Sequence, residues 1–359
     1  MKVKFLLSVT LCFLVFGTMA QYDADYFLRM ARSKLKEGKC ESAKEFYDVY
    51  KNHFHEMDAS VESQIKKCDN TTNVKPPVYK NPKGGNSTKV SPIHENYTET
   101  AFGVNMKMIW VEGGDFMMGC TSEQSDCYDS EKNVHNVTLD GFYIGMLEVT
   151  QAQWEAVVGT TIYQQRDKVD SQWPVAGVGS DYPMYFVNYD EATEFCRILS
   201  NRTGKTYTLP TEAQWEYAAR GGKKSDGTKY AGSNNIDAVA WYKDNSDDST
   251  HACGSKRSNS LGIYDMSGNV WEWCKDWYSD SYASINRAEK LHTGNAAIEI
   301  SASLGDTKNP TGPSSGTGRV KRGGCKGFGA SSCRVSIRGN DVPSHRHGNL
   351  GFRVVCIPK

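Results

Sequence analysis

The sequence predicts an α+β fold with many loops, preceded by a small all-helical unit. The first observation is composition: 33 glycines and 19 tyrosines in 359 residues indicate a globular fold built from many turns. The second is pattern, because residues 101–359 combine capped helices with short strands, whereas residues 21–69 show only helical spacing. The third is charge: 42 basic and 42 acidic residues leave no basic surplus, which argues against a nucleic-acid-binding protein.

The N-terminus has the three parts of an export signal. Lys2 and Lys4 form the basic part, residues 5–16 form the apolar part, and the segment ending at Ala20 resembles a small-residue cleavage site. We expect cleavage near Ala20, so that the mature chain is secreted or periplasmic. The apolar run is too short to span a bilayer and no later stretch is long enough, so no transmembrane segment is expected.

Residues 21–69 are predicted to form a small helical unit that resembles a single tetratricopeptide-type helix pair. Gly38 separates two helices, and a third helical run covers Val61–Lys67. The apolar positions of the first two helices are Ala31, Leu35, Ala43, Phe46 and Tyr47. One such pair buries too little apolar surface to fold alone. A disulfide between Cys40 and Cys68, packing on the main domain, and a role as a spacer without a partner all remain open.

A linker and one large domain are expected to follow. Residues 70–100 are rich in Asn, Thr, Pro, Lys and Gly, a composition typical of a linker. The main domain is predicted to cover residues 101–359, with a long polar surface loop over residues 278–317. Its predicted strands are short: Lys107–Glu112, Phe142–Leu147, Val320–Gly323, Cys333–Ile337 and Phe352–Cys356.

Three helices are predicted in the main domain from their capping residues. Thr150 and Thr211 each begin a Thr-x-x-Gln capping box, and Gly159 and Gly221 follow the last turns. Asp190 is expected to cap a third helix. The apolar stripe of that helix consists of Ala192, Phe195, Cys196 and Leu199.

Residues 262–273 hold the densest mixture of chemical groups in the chain. Asp265 and Glu272 supply hard anionic oxygens of the kind that a calcium ion prefers. Trp271 and Trp273 share one face of an extended segment and would anchor it in a core. The alternative interpretation is a buried aromatic strand that follows a glycine turn.

Six motifs in the main domain carry a family resemblance. They are Trp110–Gly119, Glu148–Thr150, Leu209–Glu216, Gly268–Trp273, Arg322–Gly324 and Asn349–Arg353. Residues 101–359 resemble the sulfatase-modifying-factor family, which is also described as formylglycine-generating-enzyme-like. The resemblance implies an irregular, loop-rich fold related to C-type lectins. Because a fold serves several functions, the site residues have to decide the activity.

The resemblance also implies a calcium site. Asp265 and Glu272 match its side-chain ligands, and Gly268 and Val270 match its carbonyl ligands. Such an ion would stabilise a loop-rich fold. In the alternative, Asp265 caps a turn and Glu272 pairs with an arginine.

Active members of the family oxidise a substrate cysteine to formylglycine, using molecular oxygen and copper(I) held by two thiolates. Cys333 matches the second copper cysteine, but Phe328 occupies the position of the first, and Cys325 replaces a serine after the Gly-Gly pair. Two interpretations remain open. Either Cys325 and Cys333 form a structural disulfide and bind no copper, or a rearranged backbone makes them a shifted copper pair.

Cysteine usage favours disulfides. Removal of the signal, which contains Cys12, leaves ten of the 11 cysteines, an even number in an exported chain. The absence of a Cys-x-x-Cys pair argues against a zinc site. Cys120 and Cys127 are expected to close a short surface loop, and the resemblance implies a Cys196–Cys356 disulfide. The two cysteines left over, which pair only by elimination, are Cys253 and Cys274.

Two functional hypotheses follow. In the first, the chain is a non-catalytic, calcium-stabilised binding or scaffold module of the cell envelope. Its partner is a protein, peptide or glycan, held in a cleft at Asn269, Trp271 and Asn349, positions that the resemblance assigns to the substrate cleft. In the second, the chain is a copper-dependent formylglycine-generating oxidase with Cys325 and Cys333 as its catalytic cysteines.

Overall fold

A computed structural model of the chain describes Tyr47 and residues 59–69, 94–282 and 307–358. The chain divides into two compact units, Met1–Ser91 and Pro92–Lys359. In the first unit helix α1, Ala59–Asp69, contains the predicted run, and its Val61 side chain is buried. The export signal, the first two predicted helices, the side chains of Cys40 and Cys68, and most of the predicted linker lie outside the described residues.

The second unit contains short strands and short helices. Its strands are β1 Tyr97–Ala101, β2 Val104–Val111, β3 Gly114–Met118, β4 His135–Leu139, β5 Phe142–Gly145, β6 Thr206–Thr208, β7 Trp271–Trp277, β8 Thr307–Lys308, β9 Arg319–Arg322, β10 Arg338–Asp341, β11 Leu350–Gly351 and β12 Val355–Ile357. Its α-helices are α2 Gln151–Val158, α3 Ile162–Asp167, α4 Tyr189–Thr203 and α5 Glu212–Ala219. Within the described part of the chain, no helix is long and apolar enough to cross a membrane.

The domain begins earlier than the sequence analysis expects. Residues 97–100, which it assigns to the linker, form most of β1 and pair with β2 in an antiparallel hairpin. In β1 the buried residues Glu99 and Ala101 alternate with exposed threonines. That polar alternation gives the strand the composition of a linker, although one of its faces packs on the domain.

The strands form three small sheets in the described part of the domain. The first has the order β1-β2-β5-β12-β6 and is antiparallel throughout. The second has the order β10-β9-β7-β11, with β11 parallel to β7. The third has the order β3-β4-β8. In the first sheet β12 lies between β5 and β6, so β1 and β6 are the two edge strands.

Helix starts follow the capping residues. The predicted capping boxes at Thr150 and Thr211 are confirmed, and Gly159 ends α2 in the left-handed region at φ 83°. The cap of α4 is Asn188 instead of the predicted Asp190, since the Asn188 side chain accepts a hydrogen bond of 2.9 Å from the Glu191 N–H. Asp190 lies in the first turn, where its charge favours the helix dipole.

The predicted strand at Cys333–Ile337 is wrong. Residues 330–333 form a 3₁₀ turn, and the strand of this region is β10. Arg334 and Ser336 are both fully buried and both bind the carboxylate of Glu131, Arg334 through contacts of 2.6 and 2.7 Å. Arg334 and Ser336 point the same way because both bind Glu131. Their alternation with the apolar residues of 333–337 therefore comes from this buried contact and not from a strand.

Two apolar clusters hold the sheets and helices together. The first joins α2 and α4 to the first two sheets, with Trp154, Phe195 and Phe352 in mutual ring contact. The second surrounds the fully buried Trp215 of α5. Trp273 of β7 is also fully buried, and its indole N–H donates to the Val187 carbonyl at 2.9 Å. β7 therefore fixes the position of the residues that precede it.

Candidate functional site

The segment before β7 coils tightly against Trp241. Asp265, Gly268 and Asn269 all have positive φ, of 58°, 85° and 57°. A Cβ at Gly268 would lie 2.3 Å from the Trp241 carbonyl oxygen, so only glycine fits there. This coil explains why residues 262–273 have the pattern of neither a helix nor a strand. It directs the side chains of Asp265 and Asn269 toward the segment that joins β5 to α2.

Glu148, in that joining segment, is the centre of a buried polar network. Its side chain is 1% exposed. Oε2 accepts hydrogen bonds from Asn269 Nδ2 at 2.7 Å and from the Cys253 thiol at 3.3 Å, and Oε1 accepts from the Val270 N–H at 3.2 Å. Burial, together with the charges of Asp265 and Glu272, raises the pKa of Glu148 well above its ordinary value.

Asp265 lies beside Glu148 with one oxygen free. Its Oδ2 accepts from the Gly254 N–H at 2.7 Å, but its buried Oδ1 has no hydrogen-bond partner. One ligand atom each from Glu148, Cys253 and Asp265 lies within 4.8 Å of the others. Burial raises the pKa of Asp265 to about 6, and the charge of Glu272 adds to that rise.

Glu272 is bound by an arginine. Arg353 donates from Nε and Nη2 to the two carboxylate oxygens at 2.6 Å each, and the Trp215 indole N–H donates to Oε2 at 2.8 Å. Both members of the ion pair are fully buried. The described contacts of Glu272 are thus those of the alternative interpretation, in which it pairs with an arginine.

The predicted calcium ligands fit the ion only in part. Asp265 offers a free, buried anionic oxygen, as calcium requires. Glu272 instead has both oxygens held by Arg353, so a cation there would compete with a bidentate guanidinium. Glu272 therefore does not have the free oxygens of a calcium ligand, and calcium binding by Asp265, Gly268, Val270 and Glu272 remains a prediction.

A second group of predicted residues surrounds the Trp271 ring. This indole is 5% exposed, and its Nε1 has no hydrogen-bond partner. Phe328, 46% exposed, meets it edge to face with 6.1 Å between ring centroids. The Lys321 ammonium lies 5.5 Å from the Trp271 centroid. We refer to this region, together with Cys325 and Asn349, as the aromatic cleft.

The floor of the aromatic cleft is polar. Asn349 Oδ1 lies 2.6 Å from His347 Nδ1, and the Asn349 side chain also hydrogen-bonds the Cys325 thiol. Burial raises the pKa of that thiol to about 11. Asn269, predicted to line the same cleft, is fully buried, and its side chain belongs to the Glu148 network instead.

One of the predicted disulfides is present among the described cysteines. Cys120 and Cys127 are bonded, with 6.2 Å between their Cα atoms. The predicted Cys196–Cys356 and Cys325–Cys333 disulfides are absent, and the pairing of Cys253 with Cys274 is absent too. The free thiols in the described part of the chain are Cys196, Cys253, Cys274, Cys325, Cys333 and Cys356.

Local geometry explains the two corrections. A Cβ at Gly324 would lie 2.9 Å from the Cys333 sulfur, so this thiol packs beneath the backbone of the Gly-Gly segment. There it donates to the Gly329 carbonyl at 3.9 Å and is not bonded to the Cys325 sulfur. Cys356 lies on β12, and its thiol hydrogen-bonds the hydroxyl groups of Tyr97 and Tyr207 instead of meeting Cys196.

Sequence reasoning missed Glu148, Cys253 and Arg353 as members of the site. Glu148 and Arg353 both occur in motifs that carry the resemblance, but no role followed from their spacing. The useful signal was an acidic residue among apolar neighbours two positions before a helix cap, which is unusual unless the acid has a buried partner. Backbone bonds bring the two segments together: the Val149 N–H donates to the Phe352 carbonyl at 2.9 Å.

Comparison with known proteins adds independent evidence. Residues 95–357 match the family described as the sulfatase-modifying factor enzyme 1-like domain. The chaperone protein LppX of Paenibacillus barcinonensis is 35% identical over 226 residues, which make up 49% of this chain and 73% of that protein. The formylglycine-generating enzyme of Streptomyces coelicolor is 29% identical over 297 residues, 67% of this chain and 86% of the enzyme.

A solved structure is also similar. Treponema denticola variable protein 1 superposes with a TM-score of 0.58 at 29% identity, covering 74% of this chain and 100% of that one. Small curled sheets and few helices define an irregular, loop-rich α+β domain. The chain belongs to the sulfatase-modifying factor enzyme 1-like family, so the predicted fold class and family are confirmed.

Proposed function

We propose that this domain is a non-catalytic binding module of the cell envelope that holds an extended peptide segment in the aromatic cleft. The observation that carries the proposal is Phe328. It stands where the resemblance places a copper cysteine, and its ring is 46% exposed against the edge of Trp271. The position therefore presents an aromatic surface in place of a soft metal ligand.

The chemistry of the cleft suits a peptide. The buried Trp271 N–H has no acceptor, and a backbone carbonyl would supply one. The exposed ring of Phe328 provides apolar contact, and the Lys321 ammonium beside the Trp271 ring provides a donor. Aromatic anchors ringed by polar groups are typical of sites that bind protein segments. The chaperone name of one relative supports a role in contacting other chains.

Export is part of the same proposal. The Cys120–Cys127 disulfide supports residence in an oxidising compartment, since such bonds persist outside the cytosol. The N-terminal signal pattern ending at Ala20 supports the same location. Fractionation of cells that express the full chain, with sequencing of the mature N-terminus, tests both points. Recovery of an uncleaved cytosolic protein would contradict them.

The binding proposal is tested by selecting random phage-displayed peptides on the purified mature chain. The tightest peptide is then titrated calorimetrically against Phe328→Ala. We expect an affinity loss of about 10-fold or more, as for an aromatic anchor. Met117→Ala is the matched control, because Met117 is 47% exposed on the third sheet and should leave affinity unchanged. Failure to enrich peptides, or enrichment of glycans alone on a parallel array, would overturn the proposal.

One observation favours the oxidase as a second candidate. Cys325 and Cys333 are both buried free thiols, and the neighbouring Cys325 adds to the rise that burial causes in the Cys333 pKa. Two adjacent thiols suit copper(I), which would supply oxygen activation when bound. Several relatives are named formylglycine-generating enzyme. In this chain Asn349 would hold the Cys325 thiol in place, and Phe328 would limit access to it.

A further inference from the structure

The Glu148 network shares Asp265 with the predicted calcium ligands, but its other two candidate ligands, Glu148 and Cys253, belong neither to that set nor to the aromatic cleft. We propose that Glu148, Asp265 and Cys253 form a binding site for one divalent transition-metal ion of the zinc class. Ligand atoms of these three residues lie within 4.8 Å of one another, close enough to converge on one ion. The inference does not depend on the proposed peptide-binding function.

The Asp265 carboxylate provides a second observation that points to a cation. The residue is 3% exposed, and Oδ1 has no hydrogen-bond partner among the residues that the structure describes. An anionic oxygen buried in this way costs several kcal/mol unless a cation or a donor reaches it. Its other oxygen is fixed by the Gly254 N–H at 2.7 Å, so the carboxylate cannot turn away to find a partner without losing that bond.

Charge balance indicates a cation of more than one charge. Glu148, Asp265 and Glu272 are three buried carboxylates, and Arg353 is the guanidinium that acts on all three. When all are ionised, three negative charges face one positive charge. Coordination by Cys253 would add its thiolate, so with a divalent ion bound four negative charges would face three positive ones, which is close to balance. The ion pair already satisfies Glu272, which leaves Glu148 and Asp265 as the carboxylates in need of compensation.

The thiol of Cys253 selects the class of metal. Calcium takes oxygen ligands, whereas zinc accepts thiolate sulfur and carboxylate oxygen together. Cys253 as a residue is partly exposed, unlike Glu148 and Asp265, which are both buried. Three protein donors leave a fourth tetrahedral position for water. The lack of a Cys-x-x-Cys pair excludes only zinc sites built on paired cysteines, and the proposed site uses one cysteine and two carboxylates.

The test is titration of the full mature chain with cobalt(II), which reports thiolate coordination by its charge-transfer absorption. We expect one equivalent to bind with that band, and zinc to displace it. Cys253→Ser should abolish the band and weaken cobalt affinity by more than about 100-fold, beyond the effect of losing an outer-shell partner. Cys196→Ser, which alters a buried thiol outside the site, should leave the charge-transfer band and the cobalt affinity unchanged.

Three results would overturn the proposal. The first is no cobalt uptake by the wild-type chain. The second is a charge-transfer band that survives Cys253→Ser and disappears in a Cys325→Ser, Cys333→Ser variant, because the ion would then bind the other thiols. The third is stabilisation by calcium alone, with no response to zinc or cobalt. Glu148→Gln and Asp265→Asn keep side-chain shape, and each should weaken cobalt binding if the carboxylates are ligands.

Discussion

Glu272 shows, at the scale of single residues, where sequence reasoning stops. Its place in a turn rich in glycine and carboxylates correctly indicated a buried anionic oxygen. The choice between a cation and an arginine depended on Arg353, which lies 81 residues further along the chain. Periodicity and spacing describe near neighbours, so they carry no information about such a partner. Asn269 was misplaced for the same reason, because its acceptor Glu148 is 121 residues away.

The Glu272–Arg353 pair leads to a stability prediction. Arg353→Met removes the guanidinium but leaves Glu272 buried and unpaired, so the free energy of unfolding should fall by about 3–5 kcal/mol. Lys223→Met is the control, because Lys223 and Glu112 form an exposed pair whose loss should cost less than about 1 kcal/mol. Urea unfolding followed by tryptophan fluorescence measures both. Equal effects from the two variants would show that the buried pair is not structural.

At the scale of elements, helices were easier to predict than strands. Helix starts depend on capping residues within four positions, and two of the three predicted caps are correct. Strands here are as short as two residues and depend on partners far along the chain. β7 lies between β9 and β11, and its pairing register shifts between Trp273 and Trp277. No local pattern encodes such an irregularity, so strand ends were misplaced.

The contact between β7 and α5 should make stability depend on pH. Asp276 on β7 accepts the Glu212 N–H at the start of α5 at 2.9 Å. Burial and the charge of Glu212 raise its pKa from 3.8 to about 7. Below pH 4 both the folded and the unfolded chain have Asp276 protonated, so this residue does not make stability depend on pH there. Between pH 4 and 7 the folded chain retains a proton that the unfolded chain releases, so stability should decline as pH rises.

Asp276→Asn tests that dependence, because asparagine can still accept the Glu212 N–H and does not ionise. The difference between the two pKa values corresponds to about 4 kcal/mol at most. Unfolding free energies from pH 4 to pH 8 should therefore decline less steeply in the variant, which should be more stable above pH 7. Parallel pH profiles for the two proteins would contradict the assignment to Asp276.

At the scale of the whole molecule, family and fold could be predicted because the supporting motifs run from Trp110 to Arg353 in order. They match a family that covers residues 95–357. The site was less predictable, since its parts come from separate loops that only the folded chain brings together. Bonding among cysteines was the least predictable part. Cys325 and Cys333 are close in sequence and in space, yet the Gly-Gly backbone lies over one sulfur.

The central claim is that Phe328 makes the cleft a binding surface instead of an oxidation site. Its most direct test is incubation of the copper-loaded chain with a Cys-x-Pro-x-Arg peptide in air, with an added thiol that supplies the two further electrons oxygen requires, followed by mass spectrometry. We predict no conversion of the peptide cysteine to formylglycine, and tighter copper(I) binding by Phe328→Cys, which adds the missing thiol. Conversion by the wild-type chain that is lost on Cys333→Ser would contradict the claim.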